Sequence, residues 1–299
     1  MELEFQPIRL EDKATIDSYL KPHAFECSEF TFTNFIIWGQ DGKIQWAQSN
    51  DVLFIRLQFG KHPPFMFPPI PKIISPEYPE AISQACRYFN EIGVPPRFRS
   101  ISGPFIELFR NYCTMMTLVP DRSCFDYIYL TEDLIELKGR KYHAKRNHLN
   151  QFTTQYEYTY RPLTPDMTDA CMELYLSWLQ EKDINEPGIL GEMKAIRFLL
   201  PNMRELGVVG GSIYVGEKMV AFTLGERIRE DMALTHIEKA DASFVGLYAT
   251  INQQFAEHEW KDVMYLNREE DMGIPGMRKA KLSYHPVKML EKFDAVRRP

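Results

Sequence analysis

The chain has 299 residues, 44% hydrophobic and 25% charged, with a formal net charge of -6; that length suits two domains of about 150 residues, and no window approaches the roughly 20 apolar residues of a membrane span. The acidic balance argues against a protein coated in basic residues for indiscriminate nucleic-acid binding, DNA included, and the N-terminal MELEFQPIRLEDK lacks the basic then continuously apolar pattern of an export signal. Five scattered cysteines (Cys27, Cys86, Cys113, Cys124, Cys171) form no C-x-x-C pair, so they read as reduced thiols of a cytoplasmic protein.

Taken in chain order, the pattern predicts a strand over Leu3 to Leu10, a helix from Glu11 to about Leu20 and a short helix over Thr31 to Trp38. Lys43 to Phe59 reads as a hairpin turning at Ser49-Asn50-Asp51, and the proline-rich HPPFMFPPIPK as an edge or loop, because proline removes a ladder donor. A helix over Glu80 to Ile92, a strand over Phe98 to Ile101, a helix over Phe105 to Tyr112 and a strand over Phe125 to Leu130 follow. Thr131 then caps one long helix that runs to about Phe152, with Glu132 and Asp133 in its first turn.

Beyond it the order repeats as strand (Glu157 to Pro162), helix (Pro165 to Glu181), helix (Gly191 to Leu206) and hairpin (Gly211 to Ile228). Strand (Ala233 to Ile237), helix (Val245 to Glu259), strand (Val263 to Asn267), helix (Pro275 to Leu282) and strand (Val287 to Val296) complete the chain. Both halves share a β-α-α-β-β order without any residue-level repeat. The expected fold is therefore α+β, two tandem mixed-sheet lobes with helices on both faces. The boundary is expected near Tyr156, giving a lobe of residues 1–155 that includes the connecting helix 131–152, and a lobe of residues 156–299 that carries the active site.

Two acid-free windows stand out in an acidic chain. Between Leu137 and Tyr156 lie Lys138, Arg140, Lys141, Lys145 and Arg146, and between Met272 and Leu290 lie Arg278, Lys279, Lys281 and Lys288. On a helix Lys138, Lys141 and Lys145 share one face, while Arg146 falls beside Tyr142 and near the seam of Ile135, Tyr142 and Leu149. In the second window Asn267 ends an apolar strand, three acids follow, and Gly273 and Gly276 bracket Pro275 ahead of a basic helix whose N-terminus suits an anion. Both windows read either as anion sites or as solvated helix faces, with Glu269, Glu270 and Asp271 pairing with Arg278 and Lys279 in the second case. His236 and Glu238 alternate along one strand and so would line a cleft or face solvent together. No H-E-x-x-H, G-x-S-x-G or Cys-His arrangement is present, so neither a metal site nor hydrolase chemistry is expected.

With LKGRKYHAKRNHLNQF and NREEDMGIPGMRKAKLSYHP in view, the chain resembles a largely uncharacterised bacterial family related to the C-terminal domain of phosphatidylglycerol lysyltransferase, and more distantly the Fem-type aminoacyltransferases. The most specific parts are Gly139 with Lys145-Arg146-Asn147, and Asn267-Arg268-Glu269 through Lys281, Ser283 and Tyr284. The resemblance implies two GNAT-like lobes and transfer of an aminoacyl or acyl group to an amine or hydroxyl. GNAT proteins hold the pyrophosphate of coenzyme A on a Gln/Arg-x-x-Gly-x-Gly/Ala loop; here only Gly246 of Ser243 to Tyr248 fits, and Tyr248 stands where a small residue belongs. An aminoacyl-tRNA donor is therefore expected over acyl-CoA, with no further cofactor. Lipid-acting members carry an N-terminal membrane region that this sequence does not show, which points to a small-molecule or peptide acceptor and no integral membrane contact. Donor phosphate would fall to Lys138, Lys141, Lys145, Arg146, Asn147, Gly246 and Arg278. The chemistry would fall to Lys281 as oxyanion partner, Tyr284 as proton donor and Glu269 as proton acceptor, with Asn267, His236 and Glu238 lining the cleft. The alternatives are an N-acyltransferase using acyl-CoA and a degenerate module that binds an anionic ligand or RNA.

Overall fold

Asn50 and Asp51 both adopt left-handed backbone, at φ 50° and 56°. Such a two-residue turn matches the twist of the strands it joins, here Ile44–Ser49 and Val52–Leu57. This hairpin belongs to the first of two mixed sheets in the computed structural model, which describes residues 2–180 and 189–297. The first sheet runs Gln6–Pro7, Ile44–Ser49, Val52–Leu57, Phe65–Met66, Phe98–Ile101, Phe293–Arg297 and Met116–Pro120, with Ile70–Pro71 paired beside Val52–Leu57. The second runs Tyr158–Pro162, Val208–Val215, Lys218–Arg229, Met232–Ala240, Tyr265–Asn267, Asp126–Leu130 and Lys288–Leu290.

The two sheets follow one plan. In each sheet one strand is followed along the chain by two main helices and a hairpin, Lys13–Leu20 and Phe32–Trp38 after Gln6–Pro7 in the first, Thr168–Gln180 and Ile189–Leu199 after Tyr158–Pro162 in the second. In each sheet the fourth and fifth strands are parallel, Met66 beside Phe98 and Met232–Leu234 beside Tyr265–Asn267. In each the sixth strand comes from the other half of the sequence: Phe293–Arg297 enters the first sheet and Asp126–Leu130 the second. The α+β fold of two lobes is thus as the sequence implies, helices on both faces included. The helix Thr168–Gln180 places Tyr175 and Trp178 against Lys239, whereas Phe255 of the helix Leu247–Glu259 lies over Gly225 on the opposite face.

The exchange moves the boundary. The chain divides between Asp126 and Tyr127, not near Tyr156, and the residues from Leu290 onward belong with the first unit. The single last strand expected over Val287 to Val296 is two strands in two sheets, parted at Lys292, whose ammonium is fully buried against Asp126 at 2.7 Å. A period-2 apolar pattern says that a segment is a strand but not which sheet takes it. The end of the predicted helix at Glu181 lies outside the described residues.

Two further expectations change. The strand Phe65–Met66 is interior to the first sheet rather than an edge, and it uses only residues between proline pairs: Met66 N–H donates to Arg97 O and Phe67 N–H to Ile55 O. The long helix of Thr131 to Phe152 is instead Thr131–Glu136 and His143–Gln155, separated by left-handed Leu137 (φ 49°) and by Gly139 (φ 85°). The break buries Leu137 and lets Tyr142 donate its hydroxyl to the Tyr284 carbonyl at 3.0 Å. Arg146 closes the break by donating to the carbonyls of Leu137 and Gly139. Phe152, fully buried among Ile213, Val220, Leu247 and Ile251, fixes the helix His143–Gln155 on the second sheet; truncating such a phenylalanine costs about 3–5 kcal/mol.

Candidate functional site

The site grows from an irregularity in the second sheet. Parallel pairing between Met232–Ala240 and Tyr265–Asn267 stops at Leu234 and Asn267, although the longer strand continues for six residues. Within that continuation Gly225 pairs with Thr235 but Leu224 with Ile237, so His236 is the extra residue of a β-bulge. A bulge reverses the alternation beyond it. Glu226 lies opposite Leu234 and Thr223 opposite Glu238, and neighbouring residues of a strand leave on opposite faces. His236 therefore joins Glu226 on one face while Glu238 points to the other, and the shared face expected for His236 and Glu238 does not form.

On the Glu238 face, its carboxylate accepts from Arg268 Nη2 at 3.0 Å and from Asn252 Nδ2 at 3.3 Å. Arg268 is packed under the rings of Tyr284 (5.1 Å) and Tyr129 (5.8 Å). Its Nη1 is buried without a hydrogen-bond partner among the described residues, and so is Oδ1 of Asn252. Lys145, from the helix His143–Gln155, sets its ammonium 3.9 Å over the Tyr284 ring. Burial and then the Arg268 charge pull Lys145 down to about 8 against a weaker opposing pull from Glu238. Burial lifts the Tyr284 hydroxyl to about 12, so it keeps its proton at neutral pH. The result is two cations, one carboxylate and one protonated phenol where the parallel strands part.

On the other face, His236 is enclosed between Glu226 (Nε2 to Oε1, 3.0 Å) and Glu269 (Nδ1 to Oε1, 3.2 Å). Burial alone would depress the imidazolium, but hydrogen bonds to the two carboxylates raise it to about 9. It is charged at neutral pH and donates from both nitrogens. Glu269 itself has left-handed backbone (φ 55°), and its N–H is held by the buried Asn267 Oδ1 at 2.8 Å. The consecutive residues Arg268 and Glu269 thus serve opposite faces of one opening.

The remaining predicted residues are held elsewhere. Lys281 donates to the carbonyls of Arg268 and Glu270, which ties down the loop bearing Arg268. Arg278 makes a two-pronged pair with Asp271 at 2.8 and 2.9 Å. Burial works against that carboxylate, yet Arg278, Tyr127 and the Gly273 N–H hold it well below the usual range. Lys138 pairs with Glu136 and Lys141 with Asp133 at 3.3 Å, so acids from the preceding helix reach back to the basic window. Asn147 Nδ2 lies 3.5 Å from Nδ1 of His143 in the same helix, on an exposed face. Gly246 caps the helix Leu247–Glu259 at φ 90°, and a Cβ there would lie 1.9 Å from the His148 carbonyl oxygen. Of the predicted set, Lys145, Tyr284 and Glu238 come together on one face and His236 with Glu269 on the other. Sequence reasoning passed over Arg268, Asn252, Tyr129 and Glu226. Arg268 stood inside the resembling NRE motif, whereas the other three carried no sequence signal.

Residues 22–296 match the family model described as phosphatidylglycerol lysyltransferase, C-terminal. A conserved protein of unknown function from Bacteroides thetaiotaomicron is 33% identical and superposes with a TM-score of 0.90, covering 99% of this chain and 100% of that one. The C-terminal domain of a putative lysylphosphatidylglycerol synthetase from Agrobacterium fabrum (15%, TM-score 0.66, 97% and 93% covered) shares the fold. So does a tandem GNAT protein of the clavulanic acid pathway (11%, TM-score 0.53, 100% and 99% covered). An uncharacterized protein of Mycoplasmoides gallisepticum is 24% identical over 175 residues, which take in 57% of this chain and 56% of that relative's length. No described helix is long and apolar enough to cross a membrane.

Proposed function

Because the chain belongs to the phosphatidylglycerol lysyltransferase C-terminal family, we propose that it moves an aminoacyl group from an aminoacyl-tRNA donor to an amine or hydroxyl of a small-molecule or peptide acceptor. The observation that carries this reading is the pairing of desolvated Lys145 with buried Arg268 around Tyr284, where the parallel strands separate. Attack on an ester carbonyl creates an oxyanion, and preorganised cations in a low-dielectric site are the strongest means of stabilising one. Lys145 and Arg268 supply that charge. Lys281, expected in this role, supports it by holding the Arg268 loop.

With an amine acceptor, the nitrogen–carbon bond forms as the bond to the ribose oxygen breaks. An acceptor that arrives as an ammonium first gives one proton to Glu269; as the neutral amine attacks, the leaving oxygen is protonated by Tyr284, which recovers the one further proton that the nitrogen sheds. His236 keeps the Glu269 carboxylate in place. The preference for aminoacyl-tRNA over acyl-CoA is supported at Gly246: the His148 carbonyl oxygen packs against the side of Gly246 where a Cβ would be, so backbone lies close to the residue that opens the helix Leu247–Glu259. The test incubates the purified chain with labelled aminoacyl-tRNA or with acetyl-CoA in the presence of a small-molecule extract. Acceptor-dependent loss of the tRNA ester, slowed about 10²-fold by Arg268→Ala, is the expected result. Consumption of acetyl-CoA alone replaces the donor assignment, and consumption of neither leaves a binding module.

A further inference from the structure

The two unpartnered buried atoms of the site are of opposite kinds. Arg268 Nη1 is a charged donor and Asn252 Oδ1 an acceptor, and each belongs to a side chain whose other arm is fixed on the same Glu238 carboxylate. A carboxylate only accepts, so it sets the Asn252 amide with its NH2 toward Glu238 and its oxygen away. Leaving either atom dry is unfavourable, and a ligand that satisfies both must offer an acceptor oxygen and a cationic N–H donor side by side. A phosphate fits only Arg268 and is repelled by Glu238 and by the Asn252 oxygen. A plain acyl group presents the oxygen but no donor. An α-aminoacyl ester presents both, its carbonyl carbon being bonded directly to the carbon that bears the ammonium.

We propose that this pair reads the free α-amino group of the transferred residue: Asn252 Oδ1 and Glu238 take the ammonium, and Arg268 Nη1 takes the carbonyl oxygen. The inference rests on the transferase reading above and deepens it by assigning the side chains that recognise the amino end of the donor. Asn252 comes from the helix Leu247–Glu259 and Glu238 from the strand Met232–Ala240, so the recognition is built on rigid elements.

The experiment compares an aminoacyl-tRNA with the same tRNA after N-acetylation of its amino acid, each assayed for acceptor-dependent loss of the ester. Acetylation removes the positive charge and adds bulk, and the expected loss is about 10²-fold or more in kcat/KM, as for a site left with an unpaired polar group. In Asn252→Leu the discrimination between the two donors should fall by about tenfold or more. Asn252→Asp keeps the side-chain shape and adds an acceptor charge, so it should keep or raise the discrimination even if the leucine variant folds poorly. Equal use of free and acetylated donors by the wild type overturns this inference while leaving the transferase reading intact. Loss of neither ester, with acetyl-CoA consumed, overturns the aminoacyl-tRNA donor of the reading above and this inference with it.

Discussion

The first and second units repeat one sheet plan and treat charge beside the fifth strand in opposite ways. In the first, Lys292 at the entry to the sixth strand donates to Asp126, Glu29 and Ser28, while Ser100 of the fifth strand donates to Glu29 Oε1 at 2.7 Å. Burial raises both carboxylates; for Glu29 the Lys292 charge and hydrogen bonds reverse this to a lowered value, while Asp126 stays raised. Cys27, Glu29 and Asp126 are close enough together to hold a cation, and the Lys292 ammonium is that cation. In the second unit the corresponding opening keeps a guanidinium nitrogen and an amide oxygen unpaired and a lysine desolvated. A buried polar cluster whose charges close on themselves specifies a fold, whereas one with unmatched groups specifies a ligand.

The largest test of that contrast is Lys292→Met. It leaves Asp126 and Glu29 uncompensated in the interior and should cost about 3–5 kcal/mol in urea unfolding, most of it recovered when Glu29→Gln and Asp126→Asn are added. A single substitution without effect would mean that the first cluster is not closed by charge. Arg268→Lys should show the reverse balance, with turnover down about 10²-fold or more because lysine lacks the planar fork, and the unfolding midpoint nearly unchanged. Were this variant as unstable as Lys292→Met, Arg268 would be a structural ion like its counterpart.

Smaller effects follow the titrations. If protonated Lys145 stabilises the oxyanion, wild-type kcat should fall as pH rises through about 8, and Lys145→Arg should carry the plateau to higher pH because arginine stays charged. His236 has a folded pKa raised from 6.5 to about 9. Its stabilising contribution is therefore full below about 6.5 and lost as pH climbs toward 9. Lys145 acts in the opposite sense between about 8 and 10.5, where stability rises with pH. A decline in thermal stability from pH 6.5 to 8 that disappears in His236→Gln would identify the histidine. Least affected should be Lys138→Ala, since solvent screens an exposed pair such as Lys138–Glu136, and donor affinity should shift by less than about twofold.

What the sequence by itself determined were the features that depend on near neighbours in the chain. Asn50 and Asp51 dictate their turn, Thr31 caps the helix Phe32–Trp38 by accepting from the Asn34 N–H, and Pro275 opens the helix Pro275–Leu282. The two acid-free windows were legible as candidate anion sites, and they contribute Lys145 and Tyr284 to the cluster around Arg268. Arg146, Lys281 and Arg278 lie in the same windows, yet they bind backbone carbonyls and Asp271, because a basic residue's partner is set by distances that no spacing records. Only the tertiary structure decided which sheet each sixth strand enters, where the long helix breaks, and on which face of the bulged strand His236 and Glu238 emerge. Asn252 shows the reason most plainly. It sits among buried apolar neighbours on an ordinary helix, and it becomes a candidate ligand only because Glu238 fixes one end of its amide and leaves the other without a partner.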